Sequence, residues 1–248
     1  MDKILRQRRK RKSLTLSSTI HFIWSAKKGR IGEQMNIVLL GPPGVGKGTY
    51  AGVLSKKYQI PTISVGDLFR TAIKKQTELG KKIKGYVSSG ELVPDEVVIE
   101  LVKSRLEEPD CKNGYILDGY PRTVPQAEAM MKFNKIDIAL NFVAPDDVIM
   151  ERISGRRTCS KCGAIYHVKN MPPTIDGICD RCTGRLVQRS DEKPEVVQNR
   201  LVVYREKTKP VIEYLRKIGL VADIDADYPI EEMHKIIAQC DKYLQKLA

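Results

Sequence analysis

The sequence predicts an α/β fold in which helices cover both faces of a five-stranded parallel sheet, giving a three-layer sandwich. Five short apolar segments alternate with stretches of helical pattern, as a sheet covered on both faces requires. These segments are residues 36–40, 61–64, 115–118, 138–143 and 220–224. A glycine-rich loop joins the first segment to its helix, and a chain of 248 residues can bury one substantial core with small inserted lobes.

The composition indicates a globular chain without a membrane span. Apolar residues make up 42% of the chain and charged residues 29%. No uncharged apolar run approaches the roughly 20 residues that a membrane-spanning helix needs. The formal net charge of +13 is concentrated near the start, because residues 1–34 hold ten Lys or Arg but only two acids. We therefore expect a modestly basic domain preceded by a basic tail.

Residues 1–34 are expected to form an extension outside the fold that is disordered or serves in targeting. The basic run at 6–12, RQRRKRK, indicates a solvated arm, with contact to nucleic acid or anionic lipid as the alternative. The uncharged stretch at 13–26 has some features of a secretory or organellar leader. A start at Met35 would also leave the first strand complete. A cytoplasmic chain is expected, and organellar targeting stays open.

The first strand leads into a phosphate-binding loop. The segment NIVLLGPPGVGKGT matches the pattern G-x-x-x-x-G-K at Gly41, Gly46 and Lys47. The glycines let backbone N–H groups surround a phosphate oxygen, while the start of the helix and the lysine add positive charge. Ser or Thr usually follows the lysine as a magnesium ligand, but here Gly48 intervenes before Thr49. The loop therefore predicts a nucleoside triphosphate ligand. Its unusual feature is the glycine that follows the lysine.

Further segments follow the loop in a recognisable order. They are SVGDLFR at 64–70, GELVPDE at 90–96, LDGYPRTVPQA at 117–127, RISGRR at 152–157, and RSD at 189–191 followed by Arg200. With GPPGVGKGT they resemble the adenylate kinases, which are P-loop nucleoside monophosphate kinases, from Met35 almost to the end. The resemblance implies a domain over 35–248 with a nucleoside monophosphate-binding lobe inserted at 64–93 and a lid inserted at 155–192.

The resemblance also implies the reaction, a reversible, magnesium-dependent transfer of the terminal phosphoryl group of ATP to AMP that gives two ADP. Such a transfer requires two phosphate chains to be aligned and their charge neutralised, which suits the planar, always charged guanidinium group. By resemblance Arg70 and Arg122 hold the AMP phosphate and Arg156 grips ATP. Arg189 and Arg200 reach toward the transferring group. The implied catalytic set is Lys47, Asp118, Arg122, Arg156, Arg189 and Arg200.

Two nucleotide sites follow from the resemblance. The ATP site comprises Gly44, Val45, Gly46, Lys47, Gly48, Thr49, Arg152, Arg156, Ile165, Tyr166 and Tyr228. The AMP site comprises Val65, Arg70, Glu91, Leu92, Val93, Gly119, Tyr120, Pro121, Arg122, Gln126, Arg189 and Arg200. Arg152 should lie against the ATP adenine, and the backbone of residues 91–93 should line the AMP pocket.

Two aspartates are candidates for holding magnesium through water. Asp118 ends the apolar segment GYILD, so its carboxylate should lie at the carboxyl edge of the sheet, where ligands bind. Asp67 is either the cap of the helix in VGDLFR or a second water-mediated contact, and we prefer the cap.

The choice of acceptor base depends on two positions. Gln126 matches the family's glutamine, which reads the adenine edge through its amide. Val65 stands where many adenylate kinases have a threonine, and it can pack on the base but cannot hydrogen-bond it. The resemblance therefore favours AMP, and a kinase for another nucleoside monophosphate remains the alternative.

Four cysteines form a pattern typical of a structural metal site. Cys159 and Cys162 are separated by sixteen residues from Cys179 and Cys182, giving C-x₂-C-x₁₆-C-x₂-C. Zinc is preferred over two disulfides or a redox pair. A lobe of this size buries little core, so the metal would stiffen the lid rather than take part in chemistry. The two other cysteines, Cys111 and Cys240, are expected to be unpaired and packed normally.

The last predicted helix runs from Pro194 to Lys217, with a bend expected at Pro210. A different class of function, a nucleic-acid-associated NTPase that grips its partner with the zinc lobe and the basic arm, is less favoured. No aromatic residues interleave with the basic run, and the cysteines lie between arginines assigned to ATP. We expect a monomer whose partners are ATP, AMP and ADP.

Overall fold

The computed structural model describes residues 34–247. Its strands form two sheets. The strands are β1 (Met35–Leu40), β2 (Thr62–Ser64), β3 (Gly114–Asp118), β4 (Ile138–Val143), β5 (Arg156–Cys159), β6 (Ile165–His167), β7 (Leu186–Val187) and β8 (Val221–Asp225). Five of them form a parallel sheet in the order β2-β3-β1-β4-β8. The predicted five-stranded parallel sheet is confirmed. The expectations for the N-terminal extension fall almost wholly outside the described residues.

Helices connect the strands and pack on the parallel sheet. They are α1 (Lys47–Tyr58), α2 (Val65–Lys74), α3 (Glu78–Ser89), α4 (Asp95–Leu106), α5 (Val124–Phe133), α6 (Asp146–Ser154), α7 (Pro194–Val203), α8 (Lys209–Lys217) and α9 (Met233–Leu244). Within residues 34–247 no helix is both long enough and apolar enough to cross a membrane.

Both faces of β1 are buried, which explains its uninterrupted apolar sequence. Val38 and Leu40 pack into one apolar cluster with residues of α4, α5 and α8. Ile37 and Leu39 point the other way, into a second cluster formed with α1 and α9. Because successive side chains of a strand alternate between faces, one strand contributes to two cores. The three-layer arrangement predicted from the sequence is therefore confirmed.

Two segments interrupt the succession of sheet strands and helices. Helices α2 and α3 lie between β2 and α4, and they pack on each other through side chains such as Ile73 and Ile83. Between α6 and α7 the chain forms a small antiparallel sheet in the order β6-β5-β7. Both segments occupy the part of the sequence where the resemblance implied inserted lobes.

The helix expected over 194–217 is helical throughout those bounds and contains one widened turn. A π-helical turn, Tyr204–Thr208, separates α7 from α8, and the N–H of Lys209 donates to the carbonyl of Tyr204, five residues back. Pro210 explains the widening, because it lacks an N–H and its ring would clash with the carbonyl four residues before it in a regular helix.

The cap of α2 is Ser64, and the preferred prediction that Asp67 caps this helix is wrong. The Ser64 hydroxyl accepts a hydrogen bond from the N–H of Asp67 at 3.3 Å, which makes Asp67 the third residue of the helix. The pattern S-x-x-D in SVGD carries this signal. The Asp67 carboxylate instead accepts from Arg70 at 2.6 Å.

Candidate functional site

A deep cleft of about 500 Å³ opens where β1 and β3 end. Its walls come from the glycine-rich loop, from α2 and from the antiparallel sheet. Gly48 lies where these walls converge, since a Cβ built on it would lie 3.8 Å from both Asp118 Oδ2 and Ile165 Cδ1. The carboxyl edge of a parallel sheet is where ligands bind in open α/β folds, so the cleft is the candidate active site.

The glycine-rich loop has the backbone geometry that encloses a phosphate. Gly41 and Gly46 have φ angles of +127° and +112°, and a Cβ on Gly41 would lie 2.5 Å from the carbonyl oxygen of Phe142. Only glycine satisfies both the backbone angle and this close approach. Lys47 follows at the start of α1, and its ammonium donates to the carbonyls of Gly41 at 2.7 Å and Pro42 at 2.8 Å. The lysine thus lies directly within the loop.

The cleft has a strong excess of positive charge. Burial lowers the pKa of Lys47 to about 8, with Asp118 opposing the shift and nearby guanidinium groups adding to it. The pKa of Arg189 and that of Arg200 both fall to about 10, again mainly through burial. These cations repel one another in a site of low solvent access, so the cleft favours highly charged anions.

Most residues that the sequence assigned to the two nucleotide sites line this cleft. On the ATP side they are Gly44, Gly46, Lys47, Gly48, Thr49, Arg152, Arg156, Ile165, Tyr166 and Tyr228. On the AMP side they are Arg70, Leu92, Gly119, Tyr120, Pro121, Arg122, Arg189 and Arg200, and Asp118 lies between the two sets. Five assigned residues do not line the cleft: Val45, Val65, Glu91, Val93 and Gln126.

Four of these five residues pack against or hydrogen-bond to other parts of the protein. Val65 is 2% exposed and packs in the apolar cluster that also contains Val93. The Gln126 side chain accepts from the backbone N–H of Arg122 at 2.8 Å and donates to Asp95 at 2.7 Å. The exposed Glu91 carboxylate accepts from Asn199 at 3.0 Å. Val65, Val93 and Gln126 therefore support the wall of the cleft. Glu91 ties the segment after α3 to α7.

Arg152 is fixed by three backbone carbonyls. Its guanidinium donates to Val45, Ala226 and Tyr228, each at 2.9 Å. These bonds lie along the edge of the planar group and do not occupy its flat faces. They also join the glycine-rich loop, α6 and the segment after β8.

Two acidic residues in the site were missed by the sequence reasoning. The Glu192 side chain is completely buried, and its carboxylate accepts from Arg156 at 2.6 Å and 2.5 Å. The Asp191 carboxylate accepts from Arg200 at 2.9 Å. A charge-assisted pair of this kind fixes the direction of a guanidinium group. The signal was two adjacent acids separated from a site arginine by one serine, in RSDE.

Replacing Glu192 with glutamine is expected to lower kcat by roughly 10-fold to 100-fold, because a charge-assisted hydrogen bond that orients Arg156 is lost. The melting temperature should also fall, since the partner guanidinium stays buried without its counter-ion. Steady-state kinetics and calorimetry measure both effects. The matched control is Glu195→Gln, which removes an exposed acid three residues later. Wild-type kcat in Glu192→Gln would contradict the positioning role.

The four cysteines predicted as metal ligands come together in the antiparallel sheet. Their sulfur atoms all lie within 4.8 Å of one another, and among residues 34–247 they form the one such group of potential ligands. The Cys159–Cys182 and Cys162–Cys179 sulfur distances are 3.5 Å and 3.6 Å. A tetrahedral zinc site with Zn–S bonds of ~2.3 Å would separate its sulfurs by ~3.8 Å, so the donors fit.

The surroundings of the cysteine cluster support the same fit. A Cβ on Gly184 would lie 2.8 Å from the sulfur of Cys159, so this turn has room only for glycine. The Tyr166 hydroxyl accepts from the N–H of Asp180 at 2.8 Å and lies 3.5 Å from the sulfur of Cys179. The strand that lines the cleft is therefore tied directly to a metal-ligand turn. Cys111 and Cys240 are buried and free, as predicted.

Comparison with known proteins points to one family. The family model described as adenylate kinase matches residues 39–220. The adenylate kinase of Archaeoglobus fulgidus is 52% identical over 208 residues, covering 82% of this chain and 96% of the relative. The adenylate kinase of Lachnospira eligens is 49% identical over 83% of this chain and 99% of the relative. That of Clostridium tetani is 50% identical over 82% of this chain and 97% of the relative.

Proposed function

The chain belongs to the adenylate kinase family and transfers a phosphoryl group reversibly between ATP and AMP, and we propose how its cleft divides this work. The observation that carries the proposal is the convergence of Lys47 and six arginines on one cavity. Transfer between two nucleotides needs in-line alignment and charge neutralisation more than covalent chemistry. Fixed cations in one cleft supply both.

The donor ATP occupies the side of the cleft formed by the glycine-rich loop. Its phosphates are held by the backbone N–H groups of residues 44–49 and by Lys47, whose ammonium lies inside the loop. Its adenine stacks on the free face of Arg152, near Tyr228. The three carbonyl bonds to Arg152 support this role, because they hold the guanidinium plane in one orientation.

The acceptor AMP occupies the opposite side. Arg70 and Arg122 hold its phosphate, and the segment around Leu92 lines the base pocket together with Tyr120. Gln126 reads the adenine edge with the amide hydrogen-bonding capacity that its protein partners leave unused. The absence of a hydroxyl at Val65 removes one contact to the base and leaves this reading to Gln126.

Charge on the transferring group is neutralised by Arg156, Arg189 and Arg200. Glu192 and Asp191 hold two of these guanidinium groups in place through the pairs described above. Asp118, at the end of β3, would hold magnesium through water at the centre of the cleft. Magnesium bound with ATP supplies further neutralisation of the phosphate oxygens.

The antiparallel sheet acts as the lid, over residues 155–192, and α2 with α3 forms the acceptor lobe, over residues 64–93. The four cysteines Cys159, Cys162, Cys179 and Cys182 would hold a zinc ion, which would stiffen the lid. Closure then carries Arg156 and Ile165 as one body and excludes water. The metal would be structural.

The decisive test is a coupled assay with AMP, GMP, CMP and UMP as acceptors and ATP as donor. AMP should have the highest kcat/KM, and a two-headed inhibitor of two adenosines joined by five phosphates should compete with both substrates. Equal or better use of another monophosphate would favour the alternative acceptor. Failure of the inhibitor to bind would contradict the arrangement of two nucleotides in one cleft.

The chain acts as a cytoplasmic monomer that does not require nucleic acid. Light scattering tests whether the chain is a monomer. A site of four cysteine ligands requires thiols that stay reduced, which supports the cytoplasm, and cell fractionation tests this localisation.

A further inference from the structure

We propose that Asp95 fixes the orientation of the Gln126 side-chain amide and so determines that the acceptor site takes 6-aminopurine rather than 6-oxopurine monophosphates. The inference rests on the proposed role of Gln126 in reading the base. Asp95 is the first residue of α4, and nothing in the sequence reasoning assigned it to the site.

Three hydrogen bonds define the arrangement. Gln126 Nε2 donates to Asp95 Oδ1 at 2.7 Å, and Gln126 Oε1 accepts from the backbone N–H of Arg122 at 2.8 Å. The other oxygen of Asp95 accepts from the Thr123 hydroxyl at 2.8 Å. Both carboxylate oxygens are therefore engaged, and the carboxylate itself has little freedom to rotate.

The partners of Gln126 dictate which end of its amide is the donor. A carboxylate can only accept, and a backbone N–H can only donate. Rotating the amide by half a turn would place Oε1 against Asp95 and the NH₂ group against the N–H of Arg122. Both hydrogen bonds would be lost and two repulsive contacts would replace them. The amide is thus held in one of its two orientations.

This orientation has a consequence for the base. The amide keeps one unused N–H on Nε2 and one unused lone pair on Oε1. Adenine presents an acceptor at N1 and a donor at its 6-amino group, which complements that pair. Guanine and hypoxanthine present a donor at N1 and an acceptor at O6, so they would need the amide reversed. A fixed amide therefore rejects 6-oxopurines by leaving buried polar groups unpaired.

The amide lies between two segments of the cleft wall. Arg122 and Tyr120 line the cavity on one side, and Leu92, three residues before Asp95, lines it on the other. The Tyr120 hydroxyl donates to the backbone carbonyl of Gln126 at 2.9 Å. Burial and, secondarily, the charge of Asp95 raise the pKa of the Tyr120 phenol.

The test compares AMP with inosine monophosphate, which differs at the 6-position without adding a 2-amino group. In Asp95→Asn the new amide can donate to a reversed Gln126, so the kcat/KM ratio of AMP to inosine monophosphate should fall roughly tenfold, the discrimination of one charge-assisted hydrogen bond. The kcat/KM for AMP should change by less than about threefold, because the asparagine oxygen still accepts from Gln126. The KM for ATP should stay at its wild-type value.

Two further variants make the outcome decisive. Glu96→Gln removes a neighbouring exposed charge at the same helix start and should keep the wild-type ratio. Asp95→Ser gives a second way to free Gln126 should Asp95→Asn fold poorly. An unchanged ratio in folded Asp95→Asn and Asp95→Ser would overturn the inference.

Gln126→Leu separates this inference from the function that it rests on. If Gln126 reads the base, this variant loses most of the preference for AMP. A collapse of the ratio in Gln126→Leu with an unchanged ratio in Asp95→Asn refutes the role of Asp95 alone. Retention of the wild-type ratio in Gln126→Leu refutes base reading by Gln126 and the inference together.

Discussion

Arg122→Lys is expected to lower kcat by roughly 10²-fold to 10³-fold, the effect of removing one preorganised donor group at the site of developing charge. The Arg122 guanidinium is anchored by a hydrogen bond from Nε to the carbonyl of Gly119 at 2.9 Å. This hydrogen bond leaves the two terminal nitrogens, Nη1 and Nη2, able to donate to a phosphate. Lysine keeps the charge but loses both the anchor and the planar fork, so it cannot hold two phosphate oxygens in one geometry.

Stability should respond differently from turnover. Burial lowers the pKa of Arg122, which shows that its folded environment disfavours the charged form. Lysine keeps the buried charge and loses the one hydrogen bond to Gly119, so we expect the melting temperature to change by less than about 3 °C, or about 1 kcal/mol for a domain of this size. A coupled assay for ADP and calorimetry measure the two quantities.

The control for this prediction is Arg216→Lys. Arg216 forms a bidentate ion pair with Asp223 on the surface, at 2.8 Å and 3.0 Å. It does not line the cleft. This variant should keep kcat at its wild-type value. Proportionate losses of rate and stability in Arg122→Lys would identify Arg122 as a structural residue and would contradict its role in phosphate binding.

The fold was predictable because its signals are local. Strands β1, β3 and β4 are short apolar runs that are buried on both faces along nearly their whole length, so they can be recognised without an alternating pattern. The edge strands β2 and β8 are partly exposed. The glycine-rich loop was equally accessible, since Gly41 and Gly46 are required by backbone geometry at those positions. Motif order then identified the arginines, although position in a motif says nothing about what holds each one.

What the sequence did not reveal depends on contacts between distant residues. Glu192 meets Arg156 across 36 positions, and Asp95 meets Gln126 across 31. Such pairs form only when the fold brings two segments together. The hydrophobic pattern of the sequence does not indicate which distant residues will meet. The Asp67 prediction failed for a different reason, because two polar residues three positions apart, Ser64 and Asp67, both suit a helix start.

Replacing Cys159 and Cys162 together with serine is expected to abolish stoichiometric zinc binding and to lower the melting temperature by about 5–10 °C, since metal binding contributes directly to folding. The apolar cluster of the lid has five buried members, and two of them are ligand cysteines. Without the metal, little packing remains to hold β5, β6 and β7 in register. Metal analysis and calorimetry measure the change.

The same variant should leave the core folded, because the two large clusters on the parallel sheet share no residue with the lid cluster. The KM for ATP should rise, since Ile165 and Arg156 lie on lid strands. A chelator should lower the melting temperature of the wild type and of the control variant Cys111→Ser, whose thiol lies outside the cluster, but not that of the double variant. Wild-type zinc content or an unchanged melting temperature in the double variant would contradict a structural metal, and the rigidity of the lid would then have to come from its hydrogen bonds alone.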